Sequence, residues 1–155
     1  MADTLNNLAL LHSKTGEYGL ALKEYQEALK IRRELAAEQP KAFLPDLAGT
    51  LNNLALLHSK TGEYGLALKE YEQALKIKRE LAAKEPGAFS QTLAETLLNL
   101  SIYYLQAVPD KDKSVAYAQE VRDILQSLIK QAPHLQNYLD MAEQLLEDNK
   151  AQPDA

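Results

Sequence analysis

The sequence predicts an all-α fold made of stacked helix pairs, and three observations support this prediction. Residues 5–50 are repeated at 51–96 with only ten differences, and both copies open with the same 21 residues. In each copy, apolar residues recur at helical spacing on both sides of a Thr-Gly pair. A third, more divergent copy follows. Helical repeats of this length are typical of arrays in which each unit buries its apolar side against the next one.

The first helix of the first copy is predicted from about Leu5 to Lys14, where the apolar positions keep a helical period. Gly16 follows the last turn, and glycine tolerates the left-handed backbone conformation that ends many helices. Gly62 has the same place in the second copy. We therefore expect a tight turn at each of these glycines.

The second helix of the first copy is predicted to begin at about Glu17 and to stop before Pro40, since the residue before a proline disfavours helix. One face of this helix is expected to be buried. Its members are Leu20, Ala21, Tyr25, Ala28, Leu29, Leu35 and either Ile31 or the stem of Arg32.

The first helix of the second copy is predicted to begin near Pro45 and to end at Lys60. Proline is favoured in the first turn of a helix, and Asp46 would place an acid near the positive end of the helix dipole. These helices put repeat 1 at about residues 2–44 and repeat 2 at about residues 45–86.

The third repeat is degenerate and is predicted at about residues 90–132, with the sequence AVPDKDK in place of the glycine turn. An amphipathic helix at about residues 134–149 carries a polar outer face, as the last helix of a repeat array requires. We expect residues 1–149 to form a single array and residues 150–155 to form a flexible tail.

Composition narrows the classes of function. The net charge is −5 with acids and bases interspersed, which argues against a nucleic-acid partner, because phosphate binding needs a basic face. The sequence contains no apolar run of about 18 residues, so no membrane span is predicted. The first residues do not resemble a secretory signal. The chain has no cysteine, so disulfides and thiolate metal sites are excluded. We expect a cytoplasmic location.

The spacing of large and small residues resembles the tetratricopeptide repeat, in the long-repeat form seen in kinesin light chains and many bacterial multi-repeat proteins. The matching positions are Leu5, Leu8, Ala9, His12, Gly16, Tyr18, Ala21, Tyr25, Ala28 and Leu29, and they recur 46 residues later from Leu51 to Leu75. The resemblance implies a right-handed superhelix of antiparallel helix pairs with a concave groove. It also implies that the first helix of each pair lines this groove, where a peptide or helix of another protein binds.

His12 and His58 are the only repeated candidates for acid–base or metal chemistry. Both lie where the resembled family packs a tyrosine, so a packed histidine bonded to backbone or water is favoured over a metal ligand or a proton switch. No nucleophile lies beside a base, and no glycine-rich phosphate loop is present. The sequence therefore predicts no enzyme, no cofactor and no metal site.

The predicted binding site is the groove face that the family resemblance assigns to the first helices. Its residues are Asn6, Leu10, Ser13, Lys14, Asn52, Leu56, Ser59, Lys60, Leu98, Ile102 and Gln106. Carboxamides can bond the backbone of any peptide, and the lysines can meet an acidic group. The alternative is that this face is only solvated or contacts another repeat. Asn7, Asn53 and Asn99 are expected to bond across to a neighbouring turn.

Two hypotheses for function follow. The first is a protein–protein interaction module that binds a peptide or helix in the groove. The second is a self-associating or engineered repeat scaffold with no specific ligand, in which the uncapped first repeat pairs with another copy to form a homo-oligomer.

Overall fold

The computed structural model describes residues 1–154, and this part of the chain contains seven α-helices and no strand. The helices are α1 (Ala2–Thr15), α2 (Tyr18–Glu38), α3 (Pro40–Lys60), α4 (Tyr64–Lys84), α5 (Pro86–Ile102), α6 (Lys111–Leu128) and α7 (Gln136–Ala151). Residues Met1–Lys78 form one compact unit, unit 1, and the residues from Arg79 onwards form a second, unit 2. Consecutive helices pack as pairs within each unit, which confirms the predicted all-α fold of helix pairs.

The two predicted glycine turns are present. Gly16 has φ 84° and Gly62 has φ 83°, a left-handed conformation in which other residues would be strained. In each turn the N–H of the following glutamate donates to a histidine carbonyl at 2.8 Å, from Glu17 to His12 and from Glu63 to His58. The two copies therefore end their first helices with the same backbone geometry.

The junction between α2 and α3 differs from the prediction. Helix α3 begins at Pro40 and continues through Pro45, which was expected to start it. Pro40 occupies the first helical position, where no N–H is needed, and Gln39 alone separates the two helices. Pro45 lacks the N–H that an interior helical residue donates, but the preceding Phe43 and Leu44 pack on the core of unit 1 and favour the longer helix.

The core of unit 1 contains two clusters in which alanines let the helices approach closely. The first joins α1, α2 and α3 and consists of Ala9, Ala21, Tyr25, Leu54 and Leu57. The second joins α2, α3 and α4 and consists of Ala36, Leu47, Leu51 and Ala74. These contacts place α2 against both first helices of the duplicated sequence.

The buried face of α2 is shifted from the predicted one. Ala21, Tyr25 and Ala28 are buried as expected, and the stripe continues through Arg32 and Ala36. Leu20 was expected to be buried but is 48% exposed. The remaining predicted members, Leu29, Ile31 and Leu35, are half-buried. The stripe follows the alanines because they allow the closest helix approach.

A buried arginine links the first three helices, α1, α2 and α3. The Arg32 guanidinium donates to the Asp46 carbonyl at 3.0 Å, to the Asp3 carboxylate at 2.6 Å and to the Thr50 hydroxyl. Thr50 in turn donates to the Asn6 side-chain oxygen at 3.2 Å. The guanidinium bond lowers the pKa of the exposed Asp3 carboxyl. Lys78, at the equivalent position of the second copy, is also buried.

Unit 2 replaces the glycine turn with a different connection. Helix α5 runs into a π-helical turn, Tyr103–Ala107, and Asp110 then caps α6 by accepting a bond from the Lys113 N–H at 3.1 Å. Helix α7 packs against both α5 and α6. The Tyr138 hydroxyl of α7 donates to Glu95 of α5 at 2.8 Å, and this bond raises the pKa of the tyrosine.

The last helix is close to its predicted position. A 3₁₀ turn, Pro133–Leu135, precedes α7, so the α-helix starts at Gln136 rather than at His134. It also continues to Ala151, two residues into the segment that was expected to be a flexible tail. Asn149 fixes its end, since the buried amide donates to the Ser114 hydroxyl and to the Leu145 carbonyl, both at 2.9 Å.

Candidate functional site

A leucine on the predicted groove face keeps the same exposure in both copies of the duplicated sequence. Leu10 on α1 and Leu56 on α3 are each 37% exposed, although α3 is otherwise largely buried. One turn further along each helix, Lys14 and Lys60 are also exposed. Each first helix of unit 1 therefore presents one apolar and one cationic group at the same offset.

The other predicted site residues differ in how much side chain they leave accessible. Asn6, Ser59 and Ile102 are half-buried, and Gln106 is exposed. Ser13, Asn52 and Leu98 are buried, which contradicts the expectation that their side chains line an open surface. Their packing within the array leaves little side chain for a ligand, so the accessible part of the predicted site is smaller than the sequence suggested.

The asparagine pair has roles different from those predicted. Asn6 was expected to face a ligand, but its side-chain oxygen already accepts a bond from Thr50 of α3. Asn7 was expected to bond across to a neighbouring element, yet it is exposed on α1. In the first copy, the bond between neighbouring first helices is thus made by Asn6.

The third repeat presents its equivalent positions on a different backbone. Ile102 ends α5, and Gln106 lies in the π-helical turn that follows. A π-helical turn winds more loosely than an α-helix and rotates the side chains that follow it. Gln106 therefore does not keep the α-helical offset that Lys14 and Lys60 have from their leucines.

Both repeated histidines form a hydrogen-bond contact with a glutamate of the next helix, which the sequence analysis missed. The His12 Nδ1 atom lies 2.7 Å from the Glu24 carboxylate, and the His58 Nδ1 atom lies 2.8 Å from that of Glu70. The expected backbone or water partner is thus replaced by a carboxylate. The signal was present, because each glutamate follows its histidine by twelve residues in both copies.

The surroundings of the two pairs shift the pKa of one member of each. The bond to Glu24 raises the pKa of His12 above its usual value, and burial of the ring opposes this only in part. Burial raises the pKa of Glu70, and the bond to His58 opposes that shift. Each pair joins the first helix of its repeat to the second through one contact between a histidine and a carboxylate.

Chemistry beyond these pairs is sparse. Within residues 1–154, no three histidine, cysteine, aspartate or glutamate side chains cluster in a way that could hold a metal ion. A groove between α6 and α7 is lined by charges of both signs, including Lys111, Arg122, Glu143 and Glu147. In the same described part of the chain, none of the helices combines the length and the apolar character needed to cross a bilayer.

A family model described as tetratricopeptide repeat matches residues 1–80 and again residues 46–127. The chain belongs to the tetratricopeptide repeat family. Tetratricopeptide repeats generally mediate protein–protein interactions, and the family is one of non-enzymatic repeat scaffolds. The resemblance in the sequence is confirmed by this match.

Solved structures show the same tetratricopeptide fold. The crystal structure of BtubC (BKLC) from P. vanneervenii is 20% identical to this chain, with a TM-score of 0.66. The similarity covers 99% of this chain and 66% of BtubC, so the chain spans about two-thirds of that protein's length. At this identity the similarity concerns the fold alone. A search of curated proteins finds no match to the sequence.

Proposed function

We propose that this tetratricopeptide chain is a protein-binding module whose ligand is a peptide or helix that contacts the groove face of the first helices. The observation that supports this proposal is the equal 37% exposure of Leu10 and Leu56. An apolar side chain that stays partly accessible at the same place in both copies offers a repeated contact to an extended or helical ligand.

The exposed lysines add a preference to this apolar contact. Lys14 and Lys60 each follow the exposed leucine by four residues, so leucine and cation lie on the same helical face. A ligand with apolar side chains flanked by Asp or Glu would satisfy both groups. The ion pairs between these lysines and the acidic residues of the ligand would affect the association rate and the salt dependence of binding more than the final affinity.

Other residues of the predicted site would contribute smaller contacts to the ligand. Asn6 and Ser59 would contribute the accessible parts of half-buried side chains. Ile102 and Gln106 of unit 2 stay in the proposal as separate contacts, and the buried Leu98 is left out. We further propose that the protein acts by binding rather than by catalysis, that it uses no cofactor, and that it is cytoplasmic with neither nucleic acid nor membrane as its partner.

A peptide array tests the groove proposal. Wild-type protein would be labelled and applied to an array of acidic, leucine-containing 12-residue peptides, and hits would be titrated by fluorescence anisotropy. The double variant Leu10→Glu/Leu56→Glu should weaken binding of the hits at least about tenfold, because a carboxylate replaces each apolar contact and repels an acidic ligand.

The chain supplies a matched control for this experiment. Leu20 and Leu66 are 48% and 45% exposed and also occupy equivalent places in the two copies, but they lie on the second helices. Leu20→Glu/Leu66→Glu should leave peptide binding unchanged. Equal loss in both double variants, or no peptide bound by the wild type, would remove the groove face from the proposal.

A further inference from the structure

The face of α1 that carries Thr4, Leu8 and Leu11, called here its outer face, is exposed. The equivalent face of α3 is buried. Residues 5–25 and 51–71 have identical sequences. Leu8 and Leu11 are nevertheless 40% and 55% exposed, while their counterparts Leu54 and Leu57 are 2% and 1% exposed. Two leucines three residues apart lie on one helical face. The chain thus contains the same apolar surface twice, once covered and once open.

The covered copy shows what kind of group fits this surface. Leu54 and Leu57 pack against Ala21 and Tyr25 of α2, with Leu22 beside them. The alanine lets the two helices approach closely, and the tyrosine ring fills the space beside the leucines. The surface on α3 is therefore complementary to an amphipathic helix with a small residue and an aromatic residue four positions apart.

A polar contact extends this complementarity toward the start of the helix. Arg32 of α2 donates to the Thr50 hydroxyl, one helical turn before Leu54. The equivalent threonine of the first copy is Thr4, which is exposed on α1. The open face therefore offers a hydroxyl to a cation as well as two leucines to an apolar stripe.

We propose that the outer face of α1, formed by Thr4, Leu8 and Leu11, binds an amphipathic helix of a partner protein that has the side-chain pattern of α2. The pattern is alanine, tyrosine, alanine and a basic residue at successive spacings of four, three and four, as at Ala21, Tyr25, Ala28 and Arg32. This surface is separate from the groove face, and the proposal does not depend on the proposed function.

The occupant is a helix of another protein rather than a second copy of this chain. The α2 pattern occurs again in α4, at Ala67, Tyr71, Ala74 and Lys78. All eight side chains of the two stripes are buried in the folded chain. A folded second copy therefore has no accessible stripe of this pattern to place on α1.

A synthetic peptide with the sequence of residues 18–38 is the probe for this surface. Fluorescence anisotropy would follow its binding to the full chain. Leu11→Glu should weaken binding at least about tenfold, because docking would bury a carboxylate against an apolar stripe. Leu11 is exposed, so this change should leave the helix content and the melting temperature as in the wild type, which circular dichroism would check.

Two controls identify the contact. Leu10→Glu changes a leucine of the same helix that lies on the groove face, and it should leave binding of the 18–38 peptide unchanged. Tyr25→Ala in the peptide should weaken binding as much as Leu11→Glu does in the protein. If Leu11→Glu weakens binding of the 18–38 peptide and Leu10→Glu does not, the result supports the outer face of α1 as the binding surface. Weaker binding of the acidic peptides to Leu10→Glu/Leu56→Glu concerns only the groove face. Each proposal can therefore fail without the other.

Three results would overturn the proposal. The first is the absence of saturable binding of the 18–38 peptide to the wild type. The second is equal binding to wild type and Leu11→Glu, which would show that the peptide exchanges with α2 on α3 or binds elsewhere. The third is a wild-type dimer in analytical ultracentrifugation that Leu11→Glu converts to a monomer, which would assign the face to a second copy.

Discussion

Helices α1 and α3 share ten identical residues, at positions 5–14 and 51–60, yet they have different environments. Helix α3 packs against α2 and buries Leu54 and Leu57, while α1 leaves Leu8 and Leu11 exposed. Leu10 and Leu56, on another face, have equal exposure. The comparison shows that the repeated sequence determines the helix and its faces, and that the neighbouring helix determines which faces are covered.

The largest expected difference between the two helices is in the free energy of unfolding after truncation of a leucine. Leu57→Ala should cost about 2–5 kcal/mol, since it leaves a cavity in a closely packed cluster. Leu11→Ala, the same change on the exposed face, should stay within about 0.5 kcal/mol. Urea unfolding followed by circular dichroism measures both. Equal costs would mean that the outer face of α1 is covered in solution.

Enlarging the alanine between the two helices tests the closeness of their packing. Ala21 is fully buried in the cluster that joins α1, α2 and α3. Ala21→Leu should therefore cost roughly 1–3 kcal/mol through overpacking. Thermal melts would detect this loss, and Ala37→Leu on the exposed side of α2 is the control. A melting temperature unchanged by Ala21→Leu would contradict the close approach.

The buried arginine tests how far α1 and α3 depend on a common polar contact. Arg32→Ala removes the donor to the Asp46 carbonyl and the Thr50 hydroxyl and should cost about 1–3 kcal/mol. Arg33→Ala removes an exposed side chain with a single bond to Gln73 and should change stability by less than about 0.5 kcal/mol. Chemical denaturation measures the free energy of unfolding of both variants. Similar losses would show that the Arg32 hydrogen bonds do not stabilise the fold.

The smallest expected effect concerns the histidine pair of the first copy. Because the pKa of His12 is raised in the folded state, its pairing with Glu24 stabilises the fold at pH values below about 6.5. This contribution is lost as the pH rises through the higher, folded-state pKa. NMR titration should show the His12 pKa falling in Glu24→Gln, with His134 as an internal reference. A His12 pKa that does not respond to this change would contradict the pairing.

Much of the helical architecture could be predicted from the sequence because its signals are local. Gly16 and Gly62 end their helices as expected, since a left-handed turn favours glycine whatever surrounds it. Pro40 was interpreted only as the end of a helix, although it also suits the first position of the next one. The π-helical turn at Tyr103–Ala107 had no local signal that distinguished it from the end of an α-helix.

The candidate site was less predictable because it depends on contacts between helices. The exposure of Leu10 and Lys14 follows from their helical face, but the burial of Ser13 and Asn52 depends on what packs beside them. The partner of His12 lies on the following helix, so a search for ligands on its own helix could not find it. The groove as a binding surface stays a prediction.

The single-residue junctions bear on how such a chain can grow. Gln39 and Glu85 adopt nearly the same backbone angles, φ −134° and ψ 72° against φ −136° and ψ 73°, and each is followed by a proline that starts the next helix. Duplication of any 46-residue stretch within the repeated region would copy one glycine turn and one such junction together. Tandem duplication can therefore add helix pairs without any new linker sequence, because each duplicated stretch already carries its turn and its junction.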